Sequence, residues 1–263
     1  MDVGLLGSGH IARALAQGWS RPQIAAYERP RLHFYDLVEQ RAADLARECG
    51  GRQAASATEL VAATRIVVLA VRPPDVVAAL AGVRSLLQGK LLVSLAAGLP
   101  VAALAESLPT TTQVGRIMPN VAVAVGKGVL LLAPGTLGSG VGDVEETFGL
   151  VGEVVAVDES LFDAATALSG CGPGFAALFL AALERGGRAA GLDAGTAHRL
   201  AAGALAGAAA LGELEPDPEA IVRAVCSPGG MTAAGIAVLE DERVPENVVA
   251  AVLAAVEQAS RLA

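Results

Sequence analysis

The first residues constrain the fold most. Asp2-Val3-Gly4-Leu5-Leu6 is a short apolar strand that runs without a linker into Gly7-Ser8-Gly9-His10-Ile11-Ala12, and an apolar helix follows through Trp19. A strand, a glycine turn and a helix with G-x-G-x-x-A spacing form the arrangement that cradles a dinucleotide pyrophosphate. Gly7 is expected to make the tight turn, Gly9 to leave room for phosphate, and Ala12 to let helix and strand pack closely. The helix start supplies free N–H groups and the positive end of the peptide dipoles. The next strand, Leu32-His33-Phe34-Tyr35, ends on Asp36. An acid at that place can accept from the hydroxyls of an adenosine ribose. Gly7, Ser8, Gly9, His10, Ile11, Ala12 and Asp36 are therefore the first candidate cofactor contacts.

The alternation continues. Strands are expected at 31–36, 66–71, 91–95, 114–118, near 128–133 and at 153–157, with helices at 38–48 and 142–152. Ile66-Val67-Val68-Leu69-Ala70-Val71 is a continuous apolar run, as strands buried on both faces usually are. The pattern predicts an α/β domain over 1–157, a doubly wound parallel sheet of the Rossmann type. Such sheets bind ligands beyond the carboxyl ends of their strands. Those ends carry Val71-Arg72-Pro73, Ala96-Ala97-Gly98 and Met118-Pro119-Asn120. Each is ordinary loop chemistry taken singly. Lined up on one edge, Val71, Arg72, Pro73, Ala96, Ala97, Gly98, Met118, Pro119 and Asn120 join the cofactor candidates.

From about Asp158 the texture changes. Strand-like runs give way to helical segments near 159–168, 172–191, 193–213, 216–225, 230–240 and 245–262, which predicts an all-α domain over 158–263. Several of these helices are apolar nearly all round and must be covered on more than one side. Dimerisation through them is expected. The chain is 53% hydrophobic, but every apolar run of membrane-span length is interrupted by Gly, Pro or charge. Its mean hydropathy of +0.53 is read as buried helices and a subunit interface, with no membrane partner. The net charge of −8 argues against nucleic acid, which wants a basic stripe. Cys49, Cys171 and Cys226 are scattered, with neither metal-type nor disulfide-type spacing, and the chain opens without a basic region and cleavable apolar segment. A reducing cytoplasm and no metal are expected.

One late segment stands out. Cys226-Ser227-Pro228-Gly229-Gly230-Met231-Thr232 interrupts the Ala-rich helices. Pro228 should stop what precedes it, and the glycines let the backbone approach another object closely. A helix opening after Gly230 presents unpaired N–H groups to a small anion such as a carboxylate. Ser227 and Thr232 add hydroxyls. The alternative is an ordinary helix–helix turn.

Taken in order, Gly7–Ala12, Val71-Arg72-Pro73, Ser94-Leu95-Ala96-Ala97-Gly98, Arg116-Ile117-Met118-Pro119-Asn120, Ala167-Leu168-Ser169-Gly170-Cys171-Gly172-Pro173 and Ser227-Pro228-Gly229-Gly230-Met231-Thr232 resemble pyrroline-5-carboxylate reductase over nearly the whole chain. The resemblance implies reduction of 1-pyrroline-5-carboxylate to L-proline by NADH or NADPH, the last step of proline synthesis. It also implies a Rossmann domain and an interlocked helical dimerisation domain, hence a homodimer and often a decamer, a ring of five dimers. Thr232 then takes the catalytic place, hydrogen-bonding near the imine nitrogen. Ser227, Gly229, Gly230, Met231, Thr232 and Cys171 become substrate-binding candidates.

The chain departs from the family pattern at several of these places. His10 stands where many relatives have Asn, Cys171 where Ser is frequent, Phe175 where Tyr is usual, and Met231 where Thr or Ala is common. Asp36 would repel a 2′-phosphate, and Leu37-Val38-Glu39 offers no cation beside it, so NADH is expected over NADPH. Other readings stay open: a related imine reductase, a β-hydroxyacid-type dehydrogenase, or a non-catalytic NAD(H)-binding paralogue. The chain's lysines are Lys90 and Lys127. The helix expected at 172–191 therefore lacks the lysine that hydroxyacid chemistry of that type uses.

Overall fold

The computed structural model describes residues 1–262. The short apolar runs become strands β1 (Asp2–Leu6), β2 (Arg31–Tyr35), β3 (Arg52–Gln53), β4 (Ile66–Leu69), β5 (Leu91–Ser94), β6 (Gln113–Pro119), β7 (Gly128–Ala133) and β8 (Gly152–Ala156). Between them lie α1 (His10–Trp19), α2 (Glu39–Cys49), α3 (Ala57–Ala63), α4 (Val76–Ala81), α5 (Val101–Glu106) and α6 (Val141–Gly149). The strands form one eight-stranded sheet in the order β3-β2-β1-β4-β5-β6-β7-β8. The order turns outward from β1 in both directions, as double winding requires. Register aligns the carboxyl ends: Leu6 lies opposite Tyr35 and Leu69, Leu69 opposite Ser94, and Ser94 opposite Arg116.

Both faces of the sheet are sealed. One core gathers Leu5, Leu15, Trp19, Phe34 and Phe148, the other Leu60, Leu69, Leu80, Leu87 and Phe162. Trp19 is fully buried. Its Nε1 donates to the Thr147 carbonyl at 2.8 Å, and its ring meets Phe148 edge-on at 5.2 Å, so the one polar atom of a large apolar side chain is not stranded.

The expected parallel arrangement runs from β3 to β6, and the structure adds a reversal at the far edge. β6 and β7 pair antiparallel, while β7 and β8 are parallel to each other. The link between β6 and β7 holds no more than the 3-10 turn Val121–Val125. That is too short for the crossover a parallel pair needs, so the chain must turn back.

The helical part comprises α7 (Phe162–Ala189), α8 (Ala194–Leu214), α9 (Pro218–Val225), α10 (Met231–Asp241) and α11 (Val244–Leu262). A break is expected between 168 and 172, but α7 runs through Pro173 without one. The helical bond that proline cannot donate would have ended on the Ser169 carbonyl. That carbonyl accepts from Asn120 Nδ2 at 2.9 Å instead. By internal packing the chain forms two units, Met1–Cys171 with the last turns from Val256, and Gly172–Ala255. Ala263, the last residue of the expected 158–263 domain, lies outside the described residues.

Within the helical unit, Asp193 caps α8 through Thr196 N at 3.0 Å, and Asp217 caps α9 through Glu219 N at 3.0 Å. The buried residues of α8 are the small Ala197 and Ala201. Leu178, Leu200, Leu211, Leu214, Val248 and Leu253 remain exposed. Apolar surface on this scale marks a face made to be covered. The stretch Glu159–Ala189 is also long and apolar enough to cross a membrane by length and composition. Gly170, Gly172, Pro173 and Gly174 interrupt it, and Glu184 and Arg185 lie on it.

Candidate active site

The glycine turn is built into the sheet edge. Gly7 has φ +104°, and a Cβ there would lie 2.7 Å from the Ala70 carbonyl oxygen. Its N–H donates to the Tyr35 carbonyl at 2.8 Å. Asp36 braces the same turn: one carboxylate oxygen accepts from Ser8 N at 2.8 Å and the other from Val38 N at 2.8 Å. α1 then starts on Gly9 with no side-chain cap. Its first N–H groups are left for an external acceptor. The space toward which a side chain at Gly9 would point is empty, and the buried Ser8 hydroxyl has no partner among the described residues. Ala12 is fully buried, while Gly9 and His10 are exposed. An uncapped helix start, an open glycine and an orphaned hydroxyl fit a bound pyrophosphate.

The neighbouring strand ends emerge beside this turn. The Val71 side chain lies 3.0 Å from the Cβ position of Gly7. Arg72 is exposed and pairs with Asp75 at 2.8 Å across the 3-10 turn Pro73–Asp75. Ser94 is buried and its hydroxyl accepts from Ala96 N at 3.2 Å. Ala97 and Gly98 follow, Gly98 with φ +67°. Met118 and Pro119 end β6, and Asn120 is buried beyond them.

β6 also carries a residue that the sequence reading did not single out for a role. Arg116 is 4% exposed, with Val114, Gly115, Ile117 and Met118 around it in β6. Its guanidinium lies 4.5 Å over the Phe162 ring and 3.6 Å from Glu159. Burial pushes its pKa below the usual arginine value, opposed by the nearby Glu159 and Asp163. Glu159 also accepts from Val101 N at 2.9 Å, closing the start of α5. A charge in the middle of an apolar strand is the available signal, since such a residue must find partners.

The second candidate segment lies in the helical unit. α9 ends at Val225, and Ser227-Pro228-Gly229-Gly230 form a turn closed by Gly230 N donating to the Ser227 carbonyl at 2.9 Å. Proline second and a positive-φ glycine third, Gly229 at φ +71°, is the residue pattern of a type II turn. α10 starts on Gly230, again with no side-chain cap. The Ser227 hydroxyl lies 2.4 Å from where a Gly230 Cβ would be, so Gly230 is what admits it. Met231 and Thr232 are exposed on the first turn of α10, and Cys171 is exposed on α7. The structure thus gathers the cofactor candidates along one sheet edge and Ser227 to Thr232 in one turn, and it carries Cys171 on α7.

A family profile described as pyrroline-5-carboxylate reductase dimerisation matches residues 159–262, and one described as NADP oxidoreductase, coenzyme F420-dependent, matches residues 2–98. The pyrroline-5-carboxylate reductase of Methanosarcina acetivorans is 33% identical over 99% of this chain and 97% of its own. That of Mycobacterium leprae is 36% identical over 90% of this chain and 88% of its own. Among solved structures, a pyrroline carboxylate reductase of Plasmodium falciparum with NADP bound superposes with a TM-score of 0.84 at 27% identity, covering 98% of this chain and 97% of that one. Full-length identity above 30% and the dimerisation match leave one reading of descent: the chain belongs to the pyrroline-5-carboxylate reductase family.

Proposed function

We propose that this chain reduces 1-pyrroline-5-carboxylate to L-proline with a reduced nicotinamide dinucleotide. The observation that carries the proposal, beside family membership, is the glycine-led, uncapped start of α10 with the Ser227 hydroxyl packed over Gly230. It suits a small carboxylate. The free N–H groups of Met231 and Thr232 with the Ser227 hydroxyl would hold that carboxylate across Gly229 and Gly230. Thr232 is assigned to orient the imine nitrogen and Cys171 to line the substrate. Gly7 to Ala12 would hold the pyrophosphate. Val71 to Pro73, Ala96 to Gly98 and Met118 to Asn120 would flank the rest of the dinucleotide. When bound, the nicotinamide supplies the hydride. The protein has little acid–base work to do, because a protonated imine is already electrophilic. Its contribution is placement.

Asp36 favours NADH, since its carboxylate would repel a 2′-phosphate. The exposed leucines of α7 and α8 support a homodimer; a decamer as its higher assembly and the cytoplasm as its place complete the reading. Hydroxyacid oxidation is disfavoured because α7 contains no lysine.

The test is to follow nicotinamide absorbance with 1-pyrroline-5-carboxylate, with NADH and NADPH in parallel. Oxidation with stoichiometric proline, faster with NADH, is expected. Folded protein that binds NADH but oxidises it with no cyclic imine acid would overturn the assignment and leave a sensor.

A further inference from the structure

We propose that Asn120 is a positioning residue for the Ser169–Pro173 segment, donating in trans the hydrogen bond that Pro173 cannot. The two motifs are 49 residues apart in sequence, yet Asn120 Nδ2 donates to the Ser169 carbonyl at 2.9 Å. That carbonyl is the acceptor which residue 173 would serve in an uninterrupted helix. The other end of the amide is committed as well: Oδ1 accepts from Ala122 N at 3.2 Å and from Val129 N at 3.3 Å. A flipped amide would set NH2 against two N–H donors and oxygen against a carbonyl, so the network fixes the orientation. Asn120 is 7% exposed, its acceptor capacity is used and one of its two N–H groups is spent.

β6 also holds α7 one stretch earlier, where Arg116 lies over Phe162. Phe162 and Ser169 are seven residues apart, two turns along the helix and on one face. The N-terminal part of α7 is thus gripped at two points, and the second is the proline gap itself. Ser169 spends its hydroxyl on the Ala165 carbonyl at 2.9 Å, so it gives Pro173 no local substitute. The helix stays whole across Pro173 because Asn120 fills the gap, and Gly170 and Cys171 take their place from that bond. The catalytic consequence rests on the reading that Cys171 and its neighbours face the substrate; the clasp does not.

The test is a double-mutant cycle between positions 120 and 173. Asn120→Asp keeps an acceptor for Ala122 and Val129 but turns an oxygen toward the Ser169 carbonyl. It is expected to lower kcat/KM for 1-pyrroline-5-carboxylate by about 10- to 100-fold, the scale of a small misplacement. Pro173→Ala restores the helical donor, and in that background the loss from Asn120→Asp should shrink to what the oxygen facing the Ser169 carbonyl costs by itself, clearly less than in the parent. Equal losses in both backgrounds, or a loss confined to dinucleotide KM, would overturn the proposal.

Asn120→Ala guards against a charge that simply unfolds the protein, and thermal unfolding supplies a readout free of activity. Alone it should lower Tm by about 2–4 °C, and by clearly less beside Pro173→Ala. Additive Tm shifts would remove the clasp. If the unaltered protein fails to turn over the imine, the functional reading fails while the Tm cycle still decides the clasp.

Discussion

Two helices of this protein begin in almost the same way and are supported very differently. α1 starts on Gly9 at φ −77°, ψ −170°, and α10 on Gly230 at φ −79°, ψ 170°. Neither has a side-chain cap, a lack shared with α2, α4, α5 and α6, whereas Ser56, Asp193 and Asp217 cap α3, α8 and α9. Among the uncapped starts, α1 and α10 differ in opening on a glycine with extended backbone. Leaving a cap off exposes N–H groups that a ligand can use. The turn before α1 is fixed from several sides, by the Tyr35 carbonyl, the Asp36 carboxylate and the Ala70 backbone behind Gly7. The turn before α10 is closed by the one bond from Gly230 to Ser227, and its residues are mostly exposed. The turn assigned to the dinucleotide is braced by its own unit. The end assigned to the small carboxylate carries little support from its own unit.

Substitutions at matched positions should separate the two. The largest effect is expected from Gly7→Ala. A Cβ there meets backbone at 2.7 Å, and φ +104° is a conformation that alanine rarely adopts. Steric relief would have to move β4 or the turn, so NADH affinity, read by fluorescence titration, should fall at least about 100-fold. Affinity within a few-fold of the parent would mean the turn is as pliant as the one before α10. Next comes Thr232→Ala, expected to lower kcat/KM for the imine by about 10- to 100-fold while leaving NADH affinity alone. A matching loss of NADH affinity would move Thr232 to the cofactor.

Much of this contrast is legible in the residues. Glycine spacing, the apolar strands and the Ser-Pro-Gly-Gly stop are local patterns, and local patterns carry local geometry. The reversal at β7 is less legible, because it follows from a short link rather than from β7 itself. β3, only Arg52–Gln53, has no alternation to reveal it. Arg116 is visible as a charge in an apolar strand, but not that Phe162 and Glu159 receive it. The bond from Asn120 to Ser169 is invisible for the same reason. A proline in an Ala-rich stretch reads as a break, and its repair comes from a distant part of the chain. The apolar faces of the late helices are legible in the residues, but not which leucines of α8 stay exposed.

Asp36→Ser sharpens the comparison from the braced side. The carboxylate holds both Ser8 N and Val38 N, so removing it loosens the turn and should raise KM for both dinucleotides. On the proposed reading it also removes the charge that would repel a 2′-phosphate, so the NADPH to NADH preference should move toward NADPH by about tenfold. A raised KM with an unmoved ratio would make Asp36 a brace and nothing more.

The smallest effect is expected at Gly229, and it is the stricter test of the difference between the turns. Its φ of +71° is positive like that of Gly7 but close to the left-handed region that other residues can enter, and no atom lies within 4 Å of the added Cβ. Gly229→Ala therefore bears conformational strain without a clash, about 1–2 kcal/mol. Part of that is offset by the lower entropy of the unfolded chain. With one turn bond to preserve and open space around it, the segment can relax, so Tm should fall by no more than about 4 °C and kcat/KM by less than about tenfold. If Gly229→Ala instead lowered kcat/KM at least about 100-fold, as Gly7→Ala is expected to lower NADH affinity, the turn before α10 would be held as tightly as the one before α1.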